Sequence, residues 1–160
     1  MAVRVIRTDE DPILRKISRE VKDINERMTE LISDMFETMD EADGVGLAAP
    51  QVGILRRVIT VDDRELNRFA MINPVIVEKD GKEEGFEGCL SIPEKQGTVE
   101  RCTHVKVQYL DIDGNKKELE ADDFLARILQ HEIDHLDGIL YTDRAIQMYE
   151  IADQEEGEIE

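Results

Sequence analysis

"QHEIDHLDG", residues 130–138, holds two of the chain's three histidines. They stand four positions apart with an acid directly after the first, the HExxH arrangement of metal-dependent hydrolases. On a helix, residues four apart lie one above the other on one face. His131 and His135 can therefore offer ring nitrogens to one ion, and Glu132, beside that face, can reach a water there. The stretch belongs to a helix expected over about 122–137, with Asp122 or Asp123 as N-cap and Gly138 as its C-terminal stop. A catalytic metal needs at least one more protein ligand. An extended histidine pattern would supply it at position 141, where the chain has Tyr141. A downstream acid is available as Glu150, on the border of the C-terminal acidic run. An upstream thiol is available as Cys89, in "EGCLSIPE" (87–94), and a thiolate with two imidazoles suits Zn²⁺ or Fe²⁺. Spacing alone leaves Glu150 and Cys89 both open.

Working outward from that helix, residues 25–43 predict a second, longer one. Met28, Leu31, Ile32, Met35, Phe36 and Met39 recur at spacings of three and one and paint a single apolar stripe, and Gly44 ends it. Between the helices the chain reads as strands. "LRRVITVD" (55–62), "FAMINPVIVEK" (69–79) and "HVKVQYLDI" (104–112) are alternating or rich in β-branched residues. Asp113-Gly114 marks a tight turn that folds 104–112 onto 116–120, and "VRVI" (3–6) predicts a short strand. Helix, several strands and a late helix make an α+β fold. The expected architecture is a mostly antiparallel β framework around the HExxH helix, with the long N-terminal helix packed alongside.

Composition narrows the setting. A length of 160 residues with 41% apolar content fits one domain with its own core, residues 1–160. From about 147 to 160 an acidic tail is expected, a helical piece and then a frayed end. No run of about 18 apolar residues is present, and "MAVRVIRTDEDP" has no apolar signal core, so a cytoplasmic location is expected. Two cysteines in such a chain predict free thiols. The net charge of −18 disfavours nonspecific binding to nucleic acid or anionic membranes, and no specific nucleic acid or membrane is expected as a partner.

A third stretch, "GVGLAAPQVG" (44–53), has two glycines, small residues and a glutamine directly after the long helix. It lacks the GK[ST] of a phosphate loop. Its functional reading is a backbone edge on which an extended peptide can pair, with an amide at Gln51 able to donate to an oxygen.

Together "GVGLAAPQ" (44–51), "EGCLS" (87–91) and "QHEIDHLDG" (130–138) resemble the peptide deformylase family, in order and at similar spacing. "DPILRKIS" (11–18) and "INP" (72–74) add to the resemblance, which covers the chain to about residue 145. It implies that Cys89, His131 and His135 bind one divalent ion, Fe²⁺ in the cell, with Zn²⁺, Ni²⁺ or Co²⁺ in preparations. It implies Glu132 as general acid/base, and Gln51 with the Leu90 N–H as stabilisers of the oxyanion. Val45, Gly46 and Gly88 would line the peptide groove. The implied reaction removes the N-formyl group from the initiator methionine of nascent chains, met transiently on the ribosome. Two positions depart from the family's pattern: Phe86 stands where a second acid often precedes the glycine-cysteine pair, and Arg127 falls near an expected apolar pocket wall. The acidic tail is not expected to touch ribosomal RNA. Competing readings are a zinc endopeptidase with Glu150 as third ligand, and a non-catalytic metal- or peptide-binding module. Intact Glu132 and Gln51 argue against the latter, since pure binding needs neither.

Overall fold

The computed structural model describes residues 2–151. Two antiparallel sheets and two long helices make up the fold. One sheet has the order β1 (Gly46–Ala48), β2 (Val58–Asp62), β3 (Arg68–Asp80), β6 (His104–Leu110), β7 (Lys116–Asp122). The other is β4 (Glu83–Cys89), β5 (Ile92–Arg101), β8 (Ala145–Glu150). The late helix, α2, runs Asp123–Leu136. Its apolar face, Ala126, Ile128, Leu129, Ile133 and Leu136, packs with Ile59, Val61, Met71, Val105 and Val107 of the larger sheet. Alternate residues of those strands point inward, as a half-buried sheet requires.

The long helix, α1, runs Glu26–Glu41, capped by the Asn25 side chain, which accepts from the Met28 N–H. Its stripe is buried as expected at Met28, Leu31, Ile32, Met35 and Met39. Phe36 is only half-buried, under the Arg68 guanidinium at 4.6 Å. The left-handed residue that ends the helix is Asp43, at φ +60°, rather than Gly44. A third cluster, Leu14, Ile92, Val99, Leu140 and Tyr141, joins the smaller sheet to the N-terminal segment.

Several expectations are adjusted. Residues 3–6 form no strand; this segment is tied to α1 by Ala2 N–H to Asp34 and Arg4 N–H to Thr38. The α2 N-cap position is Asp122, but its carboxylate does not cap the helix: it accepts from His104 Nδ1 at 2.7 Å. Strands β4 and β5 were hidden by their charged sequence. Where a helical piece was expected from about residue 147, residues 145–150 form β8 on the edge of β5. The rest of the acidic tail lies outside the described residues. Both cysteines are free thiols, and among the described residues no helix is long and apolar enough to cross a membrane.

The Asp122 carboxylate, with help from Glu120, raises the pKa of His104 above 6.5. A raised histidine pKa favours the fold fully below the unfolded value and loses its effect as pH rises through the folded value. The pair faces solvent, so the contribution is small. In Asp122→Asn, the NMR-titrated pKa of His104 should fall toward 6.5, and the stability deficit of the variant should be larger at pH 5.5 than at pH 9. An unshifted titration would sink this reading.

Candidate active site

Helix α2 brings His131 and His135 to one face, with ring centroids 5.1 Å apart. Strand β4 ends at Cys89, and Leu90 and Ser91 make the two-residue turn into β5, where Cys89 lies opposite Ile92. That turn places Cys89 Sγ 3.3 Å from His135 Nε2. One ligand atom from each of Cys89, His131 and His135 lies within 4.8 Å of the other two. Glu150, the competing ligand, is on exposed β8 beside Lys95, and Tyr141 stacks its ring on His131 at 5.9 Å. Burial and the Cys89 and Glu87 charges push the Tyr141 hydroxyl up to about 12.

The orientation of His131 is set by Glu87. His131 Nδ1 donates to Glu87 Oε1 at 2.8 Å, so Nε2 is left for an ion. Glu87 is itself held by both arms of Arg101, at 2.8 and 2.9 Å, and by Arg127 Nη1 at 2.6 Å. Burial pushes the Glu87 carboxyl up, but the hydrogen bonds and charges of Arg101 and His131 outweigh it and bring it down to about 2. Arg101 also donates to Asp134, which accepts in turn from Arg144. This chain of charges pins β4, β5 and α2 to one another.

Gln51 comes from the 3-10 turn Ala49–Val52 that follows β1. Its Oε1 accepts from the Ala48 N–H at 2.9 Å. Its Nε2 therefore faces the thiol turn, donating to Ser91 Oγ at 3.0 Å and to Cys89 Sγ at 3.5 Å. Glu132 is buried against β1. A Cβ built on Gly46 would lie 2.5 Å from Glu132 Oε2, so only glycine lets the strand pass this carboxylate. Burial raises the Glu132 carboxyl to about 7, with the His131 charge opposing. Glu132 Oε1 and His135 Nδ1 are buried without a hydrogen-bond partner. Unpaired polar atoms are costly in a closed interior; here they border the ligand triad, which is the chemistry expected of a site built to take an ion and a water.

Gln51, Cys89, His131 and Glu132 line one cavity of about 320 Å³, bordered also by Val45, Gly46, Gly88 and Leu90. His135 does not line it and joins the group through Cys89 and His131. Sequence reasoning missed Glu87, Arg101 and Ser91 as supporting residues. Glu87 stood inside a recognised motif, and its pairing with Arg101 across the β4–β5 hairpin carries no local signal. Cys102 and Gln130 also pair: Cys102 N–H donates to Gln130 Oε1 and Gln130 Nε2 to Cys102 O, which ties α2 to the end of β5.

The family model described as polypeptide deformylase matches residues 3–150. A peptide deformylase of Alkaliphilus metalliredigens is 54% identical over 147 residues, 92% of this chain and 99% of the relative. One from Agathobacter rectalis is 51% identical over 90% of each chain. Among solved structures, the peptide deformylase of Thermotoga maritima superimposes with a TM-score of 0.88 at 43% identity, over 91% of this chain and 99% of that one.

Glu87→Ala would take from Arg101, whose side chain is 4% exposed, the carboxylate that accepts two of its N–H groups, leaving it Asp134 alone, and would strip Arg127 and His131 of the same partner. Urea unfolding should show a loss of about 3–5 kcal/mol. A variant as stable as the parent would mean that the network does not hold the sheet to the helix.

Proposed function

The chain belongs to the peptide deformylase family and is a metal-dependent hydrolase that removes the N-formyl group from nascent polypeptides; on that premise we propose how its own residues divide the work. The observation that carries the proposal is the clustering of Cys89, His131 and His135 beside the cavity that Cys89, His131, Glu132 and Gln51 line.

Cys89, His131 and His135 would hold the divalent ion. When bound, the ion supplies Lewis acidity toward the formyl oxygen and the attacking water. We assign Fe²⁺ as the ion in the cell; a thiolate and two imidazoles equally accommodate Zn²⁺, Ni²⁺ or Co²⁺ in preparations. Glu132 takes the water's proton at its carboxylate and returns one to the departing amine. A carboxyl raised to about 7 suits both halves of that exchange near neutral pH. The Gln51 amide, fixed by Ala48 on one side, aims its N–H at the oxygen on which charge develops, and the Leu90 N–H does so from the turn. Donors fixed in place before reaction need no reorganisation during it.

Val45, Gly46 and Gly88 border the groove in which the substrate backbone extends. Among the described residues strand β1 pairs with β2 along one edge only, which leaves its other edge for a peptide. Main-chain pairing reads no sequence, which suits an enzyme meeting nascent chains of every kind as they leave the ribosome, in the cytoplasm. The partner is the formylated N-terminus itself, met transiently, with no specific nucleic acid or membrane involved. Selectivity for formyl over larger acyl groups comes from crowding at Cys89 and Leu90, since Leu90 also presses against Gly44.

Formate release from formyl-Met-Ala-Ser tests the assignment. Glu132→Ala and Cys89→Ala should both abolish it, and Gln51→Ala should lower kcat about 10²–10³-fold. A Cys89→Ala protein that still binds metal and cleaves would instead favour the endopeptidase reading with Glu150. N-acetyl-Met-Ala-Ser should be essentially inert, and its efficient cleavage would remove the steric account.

A further inference from the structure

The two donors assigned to the developing oxyanion are mounted on different sheets. Gln51 stands in the 3-10 turn after β1 of the larger sheet, and Leu90 in the turn between β4 and β5 of the smaller one. Among the described residues no strand pairing joins the two sheets, so strand register does not fix where Gln51 lies relative to that turn. One bridge between them is made by side chains: Gln51 Nε2 donates to Ser91 Oγ at 3.0 Å. Gln51 and Ser91 are both buried.

A second bridge is made by backbone from the N-terminal segment. The Arg7 N–H donates to the Gln51 carbonyl oxygen at 2.7 Å, and the Asp9 N–H donates to the Ser91 carbonyl oxygen at 2.7 Å. Neither Arg7 nor Asp9 lines the cavity. Two residues of chain span no more than about 7 Å, so this pair of bonds limits how far the two turns can part. The segment buries little apolar surface, with Val3 45% and Val5 79% exposed. Polar bonds hold it instead: the Ala2 N–H to Asp34, the Arg4 N–H to Thr38, and Arg4 Nε to Asp34 at 2.9 Å. At its far end the Arg7 guanidinium pairs with Asp11 at 3.0 Å and lies over Gly53, where a Cβ would stand 3.0 Å from Nη2. Asp9 takes a left-handed backbone, φ +54°. Such a conformation is uncommon outside glycine and persists where the surrounding structure imposes it.

We propose that residues 2–9 form a strap that sets the spacing of the two oxyanion donors, with Arg7 and Asp9 as positioning residues acting through their backbone N–H groups. The inference rests on the deformylase reading and adds to it a part that touches neither substrate nor ion. Donors aimed in advance stabilise developing charge only while their aim is kept, and a displacement of about 1 Å can cost on the order of 10²-fold in rate. A loosened strap therefore slows the chemical step and leaves peptide pairing along β1 as it was.

The test is kinetic, with formyl-Met-Ala-Ser on the metal-loaded enzyme. Arg7→Pro removes the N–H that the Gln51 carbonyl accepts, and should lower kcat about tenfold while KM stays within about twofold. Arg7→Ala keeps that N–H and should stay close to the parent. The decisive comparison uses Gln51→Ala as the background. There Arg7→Pro should cost no more than about twofold, because the donor that it aims is already gone. A loss of the same size in both backgrounds, or one confined to KM, would overturn the proposal, since a merely structural strap acts whether or not Gln51 is present. Should Arg7→Pro not fold, Arg4→Ala loosens the strap at its anchor on α1 and leaves both turns intact. It should lower kcat in the parent and not in the Gln51→Ala background, and an Arg4→Ala enzyme with the parent's kcat would sink the assignment. Absence of formate from the parent itself would remove the deformylase reading, and this strap's role with it.

Discussion

Glu87 carries its carboxylate into the seam between the smaller sheet and α2, where two arginines and a histidine converge on it. A carboxylate so buried is tolerable only with this full set of donors. Each donor belongs to an element that the site needs in place. Arg101 fixes β5, Arg127 fixes α2 against β4, and His131 is itself a ligand candidate. Stability and orientation therefore have one physical source. The bonds that neutralise the buried charge also choose which nitrogen of His131 remains for an ion.

The other half of the site is mounted on the larger sheet. Strand β1 and the 3-10 turn after it bring Gly46 against Glu132 and Gln51 against the Cys89 turn. Helix α2 is shared: its apolar face is core to the larger sheet, and its polar face meets the smaller one. A single helix thus sets the distance between two sheets that are not hydrogen-bonded to each other.

The sequence made α1, α2 and the β2, β3, β6 and β7 strands legible because their apolar periodicity is local. It made the ligand triad legible because two histidines on one helical face are a local pattern, while Cys89 became distinguishable from Glu150 only by resemblance. Strands β4 and β8 were not legible: "EEGFEGC" has the charge and glycine content of a loop, and "AIQMYE" is short, without a clean alternation, and pairs with β5 some fifty residues away. The support given by Arg101 was hidden for the same reason. The expected strand at 3–6 failed because its backbone is taken up by α1 side chains, Asp34 and Thr38, before any strand can pair with it.

The ligand donors come from two elements that meet only in the folded chain, a hairpin turn and a helix. No such trio exists in the unfolded ensemble, so an ion would bind the native state almost exclusively. Occupancy and folding are then thermodynamically linked: an ion present at a hundred times its dissociation constant would add about 2.7 kcal/mol to stability. The β4–β5 turn, which Gln51 holds through Cys89 and Ser91, would become one of the most firmly closed parts of the molecule. Metal supply in the cell would in this way govern not only how many molecules are active but also how long each one survives proteolysis.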